Sequence, residues 1–387
     1  MSAGIADLPL HTGGVPPWLW RRMVRLAREI CLIIVNEEGK DELLRRLADP
    51  FWFQALGCVL GFDWHSSGVT TVVTAALKVA LKPEECGVAV CGGKGKVALK
   101  TPKEIEQVAR VFSWSESKAK RMKKISRIAA KVDSAVLQDG FSLYHHAIVV
   151  SEDGKWVIVQ QGMCPEFKMA RRYHWNYEKS KSLIEEPHSF IVSDVVREVV
   201  LDLTSRFSRG TRETCLDLLK ESPKKLKSTY QSVYQTLKGN TSILKWIGMR
   251  DRPLDSIRRR INVKYLHMPE EMDWRVIKKV YELCPRNFEE FLLIRGVGGA
   301  LLRGLALISM LIYGTEASWR DPAIYSFAFG GKDGVPFPVD VTTMDRAIEF
   351  LEDVIKAMKV SEKEKAMALR RLGILVKRIQ RELNGGE

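Results

Sequence analysis

The sequence predicts an α+β protein: a mixed α/β N-terminal domain with a small sheet, followed by an all-α C-terminal domain. Three observations carry this. Residues 142–150 and 155–160 are apolar and β-branched, and Glu152-Asp153-Gly154 between them is hairpin-turn chemistry. After Pro269, apolar residues recur at helical spacing over 273–283, 288–294, 301–313, 343–358 and 362–383. Between these regions, residues 210–262 are polar, basic and rich in serine and threonine, which reads as a linker carrying short helices. The expected units are therefore 1–209, a basic linker 210–268, and a helical domain 269–387.

Within the first unit, Pro16-Pro17 introduces a helix from Trp18 to about Asn36, and a short helix over 41–47 is expected to break at Pro50. A buried helix is expected from Ser67 onward, and residues 87–91 form an apolar run of strand type ending in Gly92-Gly93-Lys94-Gly95-Lys96. Thr101-Pro102-Lys103-Glu104 has the form of a capping box with proline at the first helical position. A basic helix follows over 115–137, and a further helix is expected over 193–207.

Lysine and arginine number 61 against 47 acidic residues, a formal net charge of +14. A thermophile's charge-rich surface would enrich both signs without a net excess of this size, whereas a polyanion partner selects for one. The excess is concentrated: residues 94–131 hold twelve basic and three acidic side chains, and residues 220–264 repeat that imbalance. Such runs fit a groove that follows a phosphate backbone. No apolar run is long enough to span a bilayer, no signal peptide is evident, and the seven cysteines are dispersed without a CxxC pair. The expected location is cytoplasmic, with DNA as partner and no membrane.

Residues 291–308 carry the firmest motif. A short helix ends near Leu293, Gly296-Val297-Gly298 follows, and an apolar helix begins at once. Glycines allow positive φ in the turn, so backbone N–H groups at the second helix's start can bind phosphate without reading a base. The segment resembles the helix–hairpin–helix family. That resemblance implies DNA contacts from Arg295, Gly296, Val297, Gly298, Gly299 and Arg303. Lys94, Lys96, Arg171 and Arg172 are expected to hold further phosphates. Trp114, Trp175, Trp246 and Tyr173 are aromatic groups of the kind that stacks on bases, although tryptophan is more often core.

Five of the seven histidines lie between His65 and His188, most in polar company. Imidazole beside carboxylate serves either a divalent metal or proton transfer. The expected catalytic set is Asp63, His65, Asp139, His145, His146, Gln160 and His174, with Asp63, His65 and His145 as ligands of Mg or Mn. If 142–150 is a strand, His145 and His146 face opposite sides of its sheet. Downstream, Pro338-Val339-Asp340-Val341 resembles the segment that follows the hairpin in helix–hairpin–helix base-excision glycosylases, where the aspartate serves catalysis. The alternative role of Asp340 is to cap the next helix.

Longer stretches resemble one family over nearly the whole chain: GIADLPLHTGGVPPWLWRRM, DPFWFQALGCVLGFDWHSSGVTT, CGGKGK with KTP, DGFSLYHH, QQGMC, ARRYHW and SWRDPAIYSFAFGGKDGVPFPVD. The family is domain of unknown function 763, and the resemblance implies an archaeal or thermophilic bacterial origin without fixing an activity. The function expected from the residues is DNA processing of repair type by a metal-dependent nuclease. A glycosylase using Asp340 and a non-catalytic DNA-binding scaffold are the alternatives.

Overall fold

The computed structural model describes residues 17–61, 68–166, 169–193, 195–237, 267–323 and 341–384. Its centre is a five-stranded antiparallel sheet of order β1-β3-β4-β5-β6, made of β1 (Val88–Lys94), β3 (Ser142–Ser151), β4 (Trp156–Cys164), β5 (Met169–Asn176) and β6 (Phe190–Val192). Two short strands, β2 (Leu137–Gln138) and β7 (Leu201–Asp202), pair separately. The α+β class expected from the sequence is the one observed.

The sheet is buried on both faces, and the twofold alternation of strands sorts its side chains. Ala89, Cys91, Ile148, Val150, Trp156, Ile158, Tyr173 and Trp175 enter one core; Val88, Val90, Val149, Val157 and Val159 enter the other. On the second face lie α1 (Pro17–Glu37), α2 (Lys40–Ala48), α3 (Pro50–Leu60) and α4 (Gly68–Ala80). On the first lie α6 (Thr101–Val111), α7 (Glu116–Lys131), α8 (Arg209–Leu218) and α9 (Pro223–Leu237), after the four-residue α5 (Pro83–Cys86).

The C-terminal helices divide between these two cores. The helices α10 (Trp274–Leu283), α11 (Phe288–Leu293) and α12 (Gly299–Tyr313) join the α7 side, whereas α13 (Val341–Ala357) and α14 (Glu362–Asn384) join α1 and α3. The partition expected at residues 210 and 269 therefore does not follow the cores. Leu218, Leu226, Tyr230 and Val233, in the stretch read as linker, are buried with the sheet. Their polar neighbours face solvent, which is why composition alone suggested a linker.

Local differences have equally physical causes. Pro50 starts α3 rather than only ending α2: Asp49 caps it by accepting from the Trp52 N–H at 2.8 Å, and proline needs no partner in the first turn. Thr101 and Glu104 do not form a capping box. Glu104 turns back to accept from the Gly92 N–H and Lys78 Nζ, both at 2.7 Å, and so pins β1 between α4 and α6. Residues 195–205 are not helical, and only a short 3-10 turn begins at Arg206. Their backbone supplies β7, and Asp202 Oδ1 accepts from the Thr204 and Ser205 N–H groups in a turn. Here tertiary pairing overrides local pattern.

Candidate functional site

The sheet is apolar at one end of its strands and polar at the other. Register aligns His145 with Gln161 and Arg172, and His146 with Gln160 and Tyr173. A bulge between Leu143 and His145 introduces this polar end, and Gly92 makes room on β1. At Gly92, φ is +98° and a Cβ would stand 2.2 Å from the His146 carbonyl oxygen, so only glycine fits.

His145 and His146 do point to opposite faces. The His145 ring faces α4, where Nε2 lies 3.1 Å from Thr74 Oγ1; its Nδ1 has no hydrogen-bond partner among the described residues. Burial, followed by His146 and Lys94, holds its pKa down to about 3, so the ring is neutral. The His146 ring faces α7. Its Nε2 is 2.8 Å from Ser126 Oγ and its Nδ1 is 2.7 Å from Gln160 Oε1. Gln160 Nε2 donates to Asp133 Oδ2 at 2.5 Å and to the Ala129 carbonyl at 3.2 Å. With its amide nitrogen so committed, Gln160 presents oxygen to His146. That fixes the proton on Nδ1 and leaves the Nε2 lone pair facing the Ser126 hydroxyl.

Asp133 terminates this chain in a π-turn (Val132–Val136) that continues α7. It is fully buried and also accepts from Trp175 Nε1 at 3.1 Å and His188 Nε2 at 2.5 Å. Burial lowers the His146 pKa, while Gln160 and Asp133 oppose the shift. The four groups Ser126, His146, Gln160 and Asp133 thus form one connected line of polar atoms inside an otherwise apolar layer.

Ser126 and His146 line a cavity of about 440 Å³, bounded by Gly95 and Leu99, by Thr101 at the start of α6, by Arg127 and Lys131 of α7, and by Leu293 of α11. Its rim is basic. Arg127 is exposed, and Lys94, Lys96 and Lys100 stand exposed on the neighbouring loop. Several α7 lysines are neutralised, by Glu106, Glu116 and Glu289, whereas Arg121 and Arg127 have no carboxylate partner among the described residues.

Lys131 connects this cavity to the turn at 294–298: its Nζ donates to the Val297 carbonyl, and burial and then Arg127 lower its pKa. Gln138 Nε2 donates to the Gly299 carbonyl at 2.9 Å, so the turn is docked from two sides. In the turn, Gly296 has φ +103°, Val297 is buried, and Arg295 and Gly296 are exposed. Gly298, at the N-cap of α12, has no side chain to cap it, and the first N–H groups of a helix have no intrahelical partners. Gly299 and Ala300 open onto a second hollow, of about 540 Å³, which also includes Gln138, His267, Glu270 and Arg303.

Other expected site residues are placed differently. Arg171 and Arg172 are fully buried and do not present themselves to a phosphate. Arg171 bridges Asp139 (3.0 Å) and Asp321 (2.7 Å), and Arg172 donates to Gln54 Oε1 at 3.0 Å and to the Pro50 carbonyl. Both tie helices or loops to the sheet. Asp139 serves that ion pair and accepts from Tyr173 Oη at 2.7 Å; burial raises its pKa against the pull of Arg171. His174 is buried on the α2–α3 side, edge-on to Phe53, and burial with Arg172 nearby holds it well below the usual imidazole range.

Arg303 is engaged with the His267 carbonyl at 2.8 Å and Gln138 Oε1 at 3.3 Å rather than turned outward. Trp175 and Tyr173 are core side chains, and Trp114 donates to the Glu152 carbonyl. Asp63, His65, Asp340 and Trp246 lie outside the described residues. Sequence reasoning missed Ser126, which meets His146 directly, and Asp133, which reaches it through Gln160 and also holds His188. The signal available for Asp133 was a single acidic residue inside an apolar run at the end of a basic helix. Nothing in the local sequence marks Ser126.

Residues 4–339 match the model of the family described as "Protein of unknown function (DUF763)", and the chain belongs to that family. No curated protein and no solved structure matches the chain.

Proposed function

We propose that this member of the family binds nucleic acid by its phosphate backbone and processes the bound strand, in a reaction of repair type. The observation that carries this reading is a juxtaposition. The glycine turn at 294–298 resembles a helix–hairpin–helix, with an uncapped helix start, and Lys131 and Gln138 fasten it beside the basic face of α7 and the cavity floored by His146. A helix N-terminus and unpaired guanidinium groups on one surface suit phosphates at successive positions on a strand. Lys94, Lys96, Lys100, Arg127, Lys131 and Arg295 are the side chains assigned to this contact.

A nuclease with Mg or Mn would draw its ligands from Asp63, His65 and His145. Of these, His145 is described, and its ring lies on the α4 side of the sheet. Among the described residues, no three His, Cys, Asp or Glu side chains converge on one point. The glycosylase alternative rests on Asp340.

The test combines fluorescence anisotropy on single-stranded, duplex and branched DNA and on single-stranded and duplex RNA with product gels, in Mg²⁺, Mn²⁺ or EDTA. Binding that weakens steeply with salt, and weakens further in the double variant Lys131→Ala and Arg295→Ala, is the expected result. Absence of binding to every DNA and RNA form at low salt would refute the reading. Gel products that appear only with Mg²⁺ or Mn²⁺ assign cleavage to a metal, and abasic products assign it to base excision.

A further inference from the structure

The Ser126–His146 pair carries more than a structural reading requires. A serine in the middle of a helix commonly bonds back to the carbonyl one turn earlier. Ser126 instead points its hydroxyl at an imidazole on the neighbouring strand, at 2.8 Å. That imidazole has its second nitrogen held by Gln160, which is held in turn by Asp133. This is the arrangement that activates a hydroxyl: nucleophile, base, and a fixed group that sets the base's tautomer. Ser126, Arg127, Ala130, Lys131 and Ser134 form one lining face of the helix, so the hydroxyl and two cations border the same cavity. Its volume falls within the range of about 300–1,000 Å³ for small-ligand sites.

We infer that Ser126 is the nucleophile of a metal-independent phosphodiester hydrolase site, with His146 as its general base and then general acid. The choice of phosphodiester rests on the nucleic-acid reading above. Ser126 Oγ attacks phosphorus, forming the Oγ–P bond as its proton passes to His146 Nε2. The bond from phosphorus to the leaving alcohol's oxygen breaks, and that oxygen takes the proton from His146. Water then attacks the phosphoserine diester, giving a proton to His146 Nε2; the P–Oγ bond breaks and Oγ regains the proton. One phosphodiester and one water become an alcohol and a phosphomonoester. Arg127 and Lys131 offset the charge on the non-bridging oxygens. Gln160 and Asp133 are positioning residues that keep the Nδ1–H tautomer.

The full-length protein is incubated with bis(4-nitrophenyl) phosphate in EDTA, following 4-nitrophenolate release, and the trapped protein is mapped by peptide mass spectrometry. The expected result is turnover with the aryl phosphate mass on the peptide carrying Ser126. Ser126→Ala should abolish both, and His146→Gln should lower the rate by about 10²–10⁴-fold. Asp133→Asn should displace the pH–rate profile, which a merely structural role would not do in a variant with unchanged circular dichroism. No mass on wild-type Ser126, or turnover that persists in Ser126→Ala, overturns the inference. The wild-type labelling needs no variant to fold. DNA binding by anisotropy is read in parallel: binding without labelling refutes only the serine site, and labelling without binding refutes only the nucleic-acid reading.

Discussion

His145 offers a direct way to test the buried polar end of the sheet, because its protonation is linked to folding. The residue is 1% exposed, its Nδ1 has no partner among the described residues, and His146 and then Lys94 are the charged or titratable groups that act on it. Its folded pKa of about 3 lies far below the value near 6.5 that an unfolded chain shows. Below about pH 6.5 the unfolded chain therefore gains a proton that the folded one refuses. Stability is fully present above pH 6.5 and is lost as pH falls toward 3, at a slope of about 1.4 kcal/mol per unit. At pH 5 the loss from this one group is about 2 kcal/mol. His146 and His174, also lowered by burial, act in the same direction, while Asp139, raised by burial, acts in the opposite one. Replacing His145 by leucine isolates its share, since Thr74 Oγ1 keeps the Thr70 carbonyl as acceptor at 2.8 Å. Urea unfolding followed by tryptophan fluorescence between pH 7.5 and 5 is the assay. His145→Leu should lose about 2 kcal/mol less than wild type over that interval. Identical pH dependence in the two proteins would refute the assignment of a neutral, proton-refusing His145.

Three further substitutions test the frame around the site. Gly296→Ala must hold φ at +103° and place a Cβ 2.5 Å from Val276 Cγ2, so a destabilisation of about 1–3 kcal/mol is expected, with weaker DNA binding. An unchanged melting temperature would contradict this turn geometry. Asp321→Ala removes two contacts from the buried Arg171, at 2.7 and 2.9 Å, and leaves Asp139 as its carboxylate partner. The expected cost is about 3–5 kcal/mol by chemical denaturation, and a loss under 1 kcal/mol would show that Asp321 does not balance that charge. Arg127→Ala should reduce the slope of log affinity for DNA against log salt by about one, and an unaltered slope would remove Arg127 from the phosphate contacts.

Much of the site's raw material was legible in the chain. The hairpin of β3 and β4 follows from β-branched runs flanking Glu152-Asp153-Gly154, and strand alternation alone sends His145 and His146 to opposite faces. The glycine turn at 294–298 has the local form its residues dictate, with Val297 inward and Arg295 outward. What misled was the reading of charge without depth. Arg171 and Arg172 look like surface cations in sequence, yet Asp139, Asp321 and Gln54 come from 32, 150 and 118 residues away to receive them. Only such partners make burial of a guanidinium tolerable.

Sequence by itself determined the class of the fold, the sheet's central hairpin, the basic excess and the glycine turn, because each depends on local periodicity, turn chemistry or composition. Tertiary structure alone decided that the C-terminal helices close over both faces of the sheet rather than standing apart. It also decided that the basic run of α7 becomes one wall of a cavity. The partnership of Ser126, His146, Gln160 and Asp133 belongs to that same level. Its members come from a helix, two strands and a π-turn, and hydrogen-bond geometry across such elements is set by packing rather than spacing.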